Sequence, residues 1–317
     1  MPILGKTSGT VERAQAEAAL FGRDQYLPTS TKRVPIDADR MCGAPSCSGG
    51  WAMPWKSRRR PIFEQEWGCS QKCLKALVNA AVRRVSGEGI ADNETTPHRH
   101  RVPLGLVLLA QGWISHPQLR SALDAQRASG RGRIGDWLTQ SCGLPEDRIA
   151  RGLGVQWSCP VLGLDGFSAA SMALVMPKRL IAEFGMVPLR VAGSRLLYLA
   201  FEERPDAAVA LGVDQMSGLK VESGLLPGTQ FDAARSAVLA AEGVPVHMKL
   251  VADSDGLVAA IVRAVDQSQP LATRLVRVHQ YYWLRMWLES GATQGTGTLP
   301  PGPEDVVDNL FLVGGRR

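Results

Sequence analysis

The chain has 317 residues, 45% of them hydrophobic and 21% charged, a globular composition with length for about two domains. No apolar run reaches the roughly 18 residues of a membrane span, Leu104–Ala110 being among the longest, and Met1–Lys6 does not open a signal peptide. The expectation is a soluble, cytoplasmic protein. The net charge of +6 is unevenly placed: residues 41–84 carry eight Lys/Arg against two acids, whereas residues 102–317 carry 20 against 20.

Residues 1–40 mix charges and turn formers and read as a flexible N-terminus. Residues 41–84 hold Cys42, Cys47, Cys69 and Cys73, the aromatic anchors Trp51, Trp55, Phe63 and Trp67, and the basic run Lys56-Ser57-Arg58-Arg59-Arg60. Two close cysteine pairs across a loop of about twenty residues form the pattern of a tetrahedral structural Zn(2+) site. A module of 44 residues is too small to bury a stable core unaided, so a metal would supply folding free energy. Disulfides are the competing arrangement, disfavoured in a reducing compartment. Gly68-Cys69-Ser70-Gln71-Lys72-Cys73 leads into a helix through Leu74, Leu77, Val78, Ala81 and Val82. The 56–60 run could meet the phosphates of nucleic acid, an acidic lipid or an acidic partner; a solvated basic face is the bland alternative.

Residues 85–101 are a polar linker, and from Val102 the texture changes. Pro103-Leu104-Gly105, Leu108-Leu109, Gly112, Leu119, Leu123 and Gln126 are followed by Arg133-Ile134-Gly135, Leu138, Ile149, Leu153 and Gln156. In both copies apolar residues stand 14 and 18 positions after the first glycine, and a glutamine 21 after it. Each copy reads as short helix, glycine turn, second helix, the second helices starting near Ser115 and Pro145.

At these residues the sequence resembles the MshEN domain, the N-terminal domain of type II secretion and type IV pilus assembly ATPases. There, two Arg-Leu-Gly…Gly…Leu…Leu…Gln motifs hold cyclic di-GMP. The resemblance covers about residues 102–240, within a domain of residues 102–242. It implies helical repeats over 102–158 and a small α/β subdomain over 159–242, with Met186-Val187-Pro188-Leu189, Arg195–Ala200 and Gly218–Glu222 as strands. It also implies a ligand held by Leu104, Gly105, Leu108, Gly112, Gln126, Arg133, Ile134, Gly135 and Gln156, and a place among secretion or pilus machinery. The departures are Pro103 where the family has arginine, Cys142 where it has glycine, and Glu203-Arg204-Pro205 where it has Asp-Pro. A repeat kept only as a packing scaffold is the alternative.

No Gly-x-x-x-x-Gly-Lys-[Ser/Thr] phosphate loop follows the repeats, and no catalytic string such as H-E-x-x-H or G-x-S-x-G occurs. The expectation is therefore a non-catalytic regulatory or adaptor protein of the α+β class: tandem helical repeats, a small α/β sheet subdomain and a small N-terminal zinc-type module of four cysteines. A zinc module that binds nucleic acid, and a pure interaction scaffold, are the alternatives. Past Glu242, a strand over Val246–Ala252 and a helix over Gly256–Gln267 open a C-terminal α/β segment, residues 243–290, in which 272–289 favours strand. Residues 291–317 are Gly/Thr/Pro-rich and read as a disordered tail, with Val306–Val313 as a segment that could dock.

Overall fold

Two short strands, β1 (Ile62–Phe63) and β2 (Glu66–Trp67), form an antiparallel hairpin ahead of helix α1 (Gln71–Ser86). The computed structural model describes residues 42–45, 47, 62–87, 101–193, 195–288 and 299–314, all within the unit Met41–Arg317. The 56–60 basic run lies outside them. Ser70 caps α1 by accepting from the Cys73 N–H, Gly87 closes it with φ 74°, and Arg83 and Arg84 sit in its last turn, where the helix dipole favours cations. Leu74, Leu77, Val78, Ala81 and Val82 are buried along one stripe, a face wider than the hairpin can cover.

The repeats form four helices: α2 (Leu104–Ala110), α3 (His116–Ser129), α4 (Ile134–Cys142) and α5 (Glu146–Trp157). Ser115 starts α3 with a reciprocal capping box to Gln118, and Pro145 leads into α5, both as the residue types imply. The 14-residue spacing has a packing cause. A Cβ on Gly105 would lie 2.7 Å from Leu119, and one on Gly135 3.0 Å from Ile149, so each glycine admits the apolar residue of its own second helix. Helix α2 gives way to Gly112 at φ 67°, whereas α4 runs through Cys142 and ends on Gly143 at φ 66°. The displaced glycine therefore lengthens one helix and leaves the turn intact. Leu104, Leu108, Ile114, Ala122, Leu138 and Leu144 form the shared core.

After the short α6 (Ala169–Met172) and α7 (Lys178–Phe184), β3 (Met186–Ala192) turns at Gly193 into antiparallel β4 (Leu196–Phe201). Helix α8 (Ala207–Ser217) crosses over to β5 (Lys220–Leu225), which pairs parallel with β4, and α9 (Gly228–Ala240) follows.

A second sheet follows: β6 (Val246–Val251), helix α10 (Ser254–Ser268), β7 (Ala272–Val278), β8 (Tyr281–Trp287) and β9 (Val306–Val313), in the order β6-β9-β8-β7. Two expectations are corrected here. The segment expected as strand over 272–289 holds, over residues 272–287, a hairpin rather than one strand, reversing at His279-Gln280 with His279 at φ 50°. The tail is not wholly disordered: Val306–Val313 is an inner strand, parallel to β6 and antiparallel to β8. Its apolar run buries Val306, Leu310 and Phe311, which outweighs the turn-rich residues before it.

The two faces of this sheet serve different partners. Val276, Val278, Tyr281, Trp283 and Leu310 join the core of the α/β subdomain. Leu275, Tyr282, Leu284, Met286 and Phe311 alternate with them and pack under α1 and α10. The cysteine-bearing segment thus shares its core with the far end of the chain. Arg285 and Asp308 lock the first face: 2% and 0% exposed, they bond bidentately at 2.8 and 2.7 Å. Trp283 Nε1 donates to Asp308 at 2.8 Å, and Arg285 Nη1 donates to the Val175 carbonyl at 2.9 Å.

Candidate functional site

Each motif ends in a glutamine, and each glutamine bonds the other motif's entrance. Gln126 Nε2 donates to the Gly132 carbonyl at 2.8 Å, and Gln156 Nε2 donates to the Val102 carbonyl at 2.7 Å. Both carbonyls lie three residues before the motif glycine, so the two bonds occupy equivalent places in the two copies. Leu104 lies against Gly152 and reaches toward Gly135, bringing the two Leu/Ile-Gly starts together.

Beside this junction lies a cavity of about 810 Å³, walled by α4 and α5 on one side and by the Glu202–Arg204 and Leu226–Thr229 loops on the other. Its size is that of a small-molecule site. Among the motif residues, Leu104, Arg133, Ile134, Gly135, Ile149, Leu153 and Gln156 line it. Gly105, Leu108, Gly112 and Gln126 do not: Leu108 is fully buried in the helical core, Gly105 packs on Leu119, and Gln126 makes its carbonyl bond.

Arg133 is the N-cap of α4, and its backbone N–H donates to Asp136. Its guanidinium pairs with Glu202 through Nη1 and with Glu203 through Nε, the latter at 2.8 Å. Burial works against the charge, but these carboxylates outweigh it and raise the Arg133 pKa. Desolvation pushes Glu203 up, against the pull of Arg133. Glu146 accepts from the Thr229 N–H and hydroxyl at 2.9 and 2.8 Å and so caps α9. Trp157 gives the cavity an aromatic wall, with the guanidinium of Arg101 3.6 Å above its ring and that of Arg204 at 5.8 Å. Arg101 thus brings a cation near the junction where Pro103 replaces the motif arginine.

The sequence alone did not reveal Glu202, Glu203 or Trp157 as part of this wall. Glu203-Arg204-Pro205 stood out as a departure, but its contact with Arg133 spans about 70 positions and no local period announces it.

The second candidate is the cysteine cluster. The sulfurs of Cys42, Cys47, Cys69 and Cys73 all lie within 4.8 Å of one another. Around zinc with bonds of about 2.3 Å, tetrahedral thiolates stand about 3.8 Å apart, so the donor set fits. The Cys69 N–H donates to Cys42 Sγ at 3.4 Å, and Cys69 lies 3.5 Å from both Cys47 and Cys73. The Ser70 hydroxyl leads in drawing the Cys73 thiol down to about 7, while hydrogen bonds to Cys73 and then Cys47 push Cys69 up to about 12. The Cys73 thiolate forms readily and that of Cys69 is opposed, an opposition that a divalent cation removes. Cys142 and Cys159 stand apart from the cluster; burial raises the Cys159 thiol.

The paired helices with their reciprocal glutamine bonds are followed by a hairpin and a parallel crossover strand. No protein-family model matches the chain, and no curated protein matches it. Solved structures do. The structure of MshE with cyclic di-GMP is 26% identical, with a TM-score of 0.34, over 43% of this chain and 98% of that one. Two crystal forms of the XpsE N-terminal domain are 17% and 16% identical, with TM-scores of 0.24 and 0.30; each covers 42% of this chain and, in turn, 91% and 92% of its own. No helix among the described residues is long and apolar enough to cross a membrane.

Proposed function

We propose that this chain is a non-catalytic, cytoplasmic regulatory adaptor whose tandem motifs take cyclic di-GMP and whose remaining surface docks onto secretion or pilus machinery. The observation that carries this reading is the junction itself: two motif starts held together by Gln126 and Gln156, beside a cavity into which Arg133 reaches. A cyclic dinucleotide offers two phosphates and two guanine edges. The guanidinium fork of Arg133 matches either bidentately, and the Trp157 ring with its two arginines suits a purine. Gly135, in the first turn of α4, lines the cavity, and the N-terminus of that helix favours an anion. The four cysteines hold a structural Zn(2+), which ties the hairpin to α1 and leaves the chemistry of the junction untouched.

Calorimetric titration of cyclic di-GMP into the full chain and into Arg133→Ala tests the ligand. Saturable binding in the first, weakened at least tenfold in the second, supports the reading. An absence of binding by the full chain makes the repeat a packing scaffold.

A further inference from the structure

Five carboxylates line the cavity (Asp136, Glu146, Glu202, Glu203 and Asp232) against two arginines, Arg133 and Arg204, an unexpected balance for a site that receives phosphates. Two of the acids cap helix starts. Asp136 caps α4 through the Arg133 N–H, and Glu146 caps α9 through Thr229. Glu202 and Glu203 are different. They follow β4, in the loop that faces the repeats, and both turn to the same guanidinium. Together they present two negative charges to one fork, as a bound phosphate would.

We propose that Glu202 and Glu203 act as an internal anion that occupies Arg133, so that an incoming cyclic dinucleotide must displace them, and that this competition sets the affinity of the site. The inference rests on the cyclic di-GMP reading and adds the residues that tune it. Arg133 is 51% exposed in its side chain, Glu202 36% and Glu203 47%, so each pair is of the weak, half-solvated kind that a doubly charged ligand can replace. The clasp joins the repeats to the β4 loop, and its release on binding would free that loop from α4. Ligand occupancy would then be readable from outside the cavity.

Two measurements on the full chain test the clasp separately from its ligand. Phenylglyoxal modification, mapped by peptide mass spectrometry, compares Arg133 with its exposed neighbour Arg131. The clasp requires Arg133 to react several-fold more slowly in the wild type and to approach Arg131 in Glu202→Gln/Glu203→Gln. Equal reactivity of the two arginines in the wild type overturns it. Calorimetry then requires the double variant to bind cyclic di-GMP about tenfold more tightly than the wild type, with two weak ion pairs no longer competing. Wild-type binding that the double variant leaves unchanged or weakens overturns the proposal. Slow, variant-released Arg133 with no cyclic di-GMP binding by either protein supports the clasp and overturns the ligand reading alone.

Discussion

The repeats and the cysteine-bearing face solve the same problem, burying one side of a helix, over very different ranges of sequence. In the repeats the partner is near: Gly105 receives Leu119 and Gly135 receives Ile149, each 14 positions on. At the other face, α1 ends at Ser86 while α10, with which it shares a core, begins at Ser254. The first arrangement writes a period into the sequence. The second writes only an apolar stripe, and the stripe does not say what covers it. A helix pair can therefore be read where loop closure is short, and has to be seen where it is long.

The largest expected effect separates the two regions by metal. Purified protein should carry one equivalent of zinc, and chelation should destabilise the face that α1 shares with α10 while the repeats keep their helices. Structural zinc contributes roughly 10 kcal/mol in isolated finger peptides. Metal analysis checks this; under half an equivalent, with Cys42, Cys47, Cys69 and Cys73 freely reactive, contradicts it. Next in size is the seam between the second sheet and the α/β subdomain. Asp308→Ala leaves the Arg285 charge buried without its partner and should cost about 3–5 kcal/mol in denaturant unfolding.

Gln156→Ala should cost about 1 kcal/mol by removing one carbonyl bond. Gln126→Ala should cost a similar amount if the copies are mechanically equivalent, and thermal melts of the pair test that equivalence. The smallest effect is in acid. Asp206 caps α8 and contacts His279 at 2.7 Å; burial opposes its charge, but the Val209 N–H and His279 outweigh burial and depress its pKa. A depressed carboxyl contributes stability that is complete above its unfolded value near 4 and is lost as pH falls through the folded one. Stability of the wild type should therefore fall more steeply below pH 4 than that of Asp206→Asn.

Much of the fold was legible because local rules and the global structure agree. Ser115 and Pro145 begin helices as their residue types require. The cysteine spacing anticipated a cluster that the structure brings within 4.8 Å. Strand β9 was obscured because Gly/Thr/Pro-rich residues precede it and its pairing partners β6 and β8 are far away in sequence. Among the site residues, the motif gave Arg133 and Gly135 but not what Arg133 touches. Glu202 and Glu203 are ordinary surface acids until the β4 loop is placed beside α4.

The most direct test of the account is a methyl NMR titration of the full chain with cyclic di-GMP, which reads both regions at once. Shifts confined to Leu104, Ile134, Ile149 and Leu153 at the motif junction, with Val258 and Ile261 under the cysteine-bearing face unmoved, are the predicted result. Shifts centred on Val258 and Ile261, or none anywhere at millimolar ligand, would contradict it.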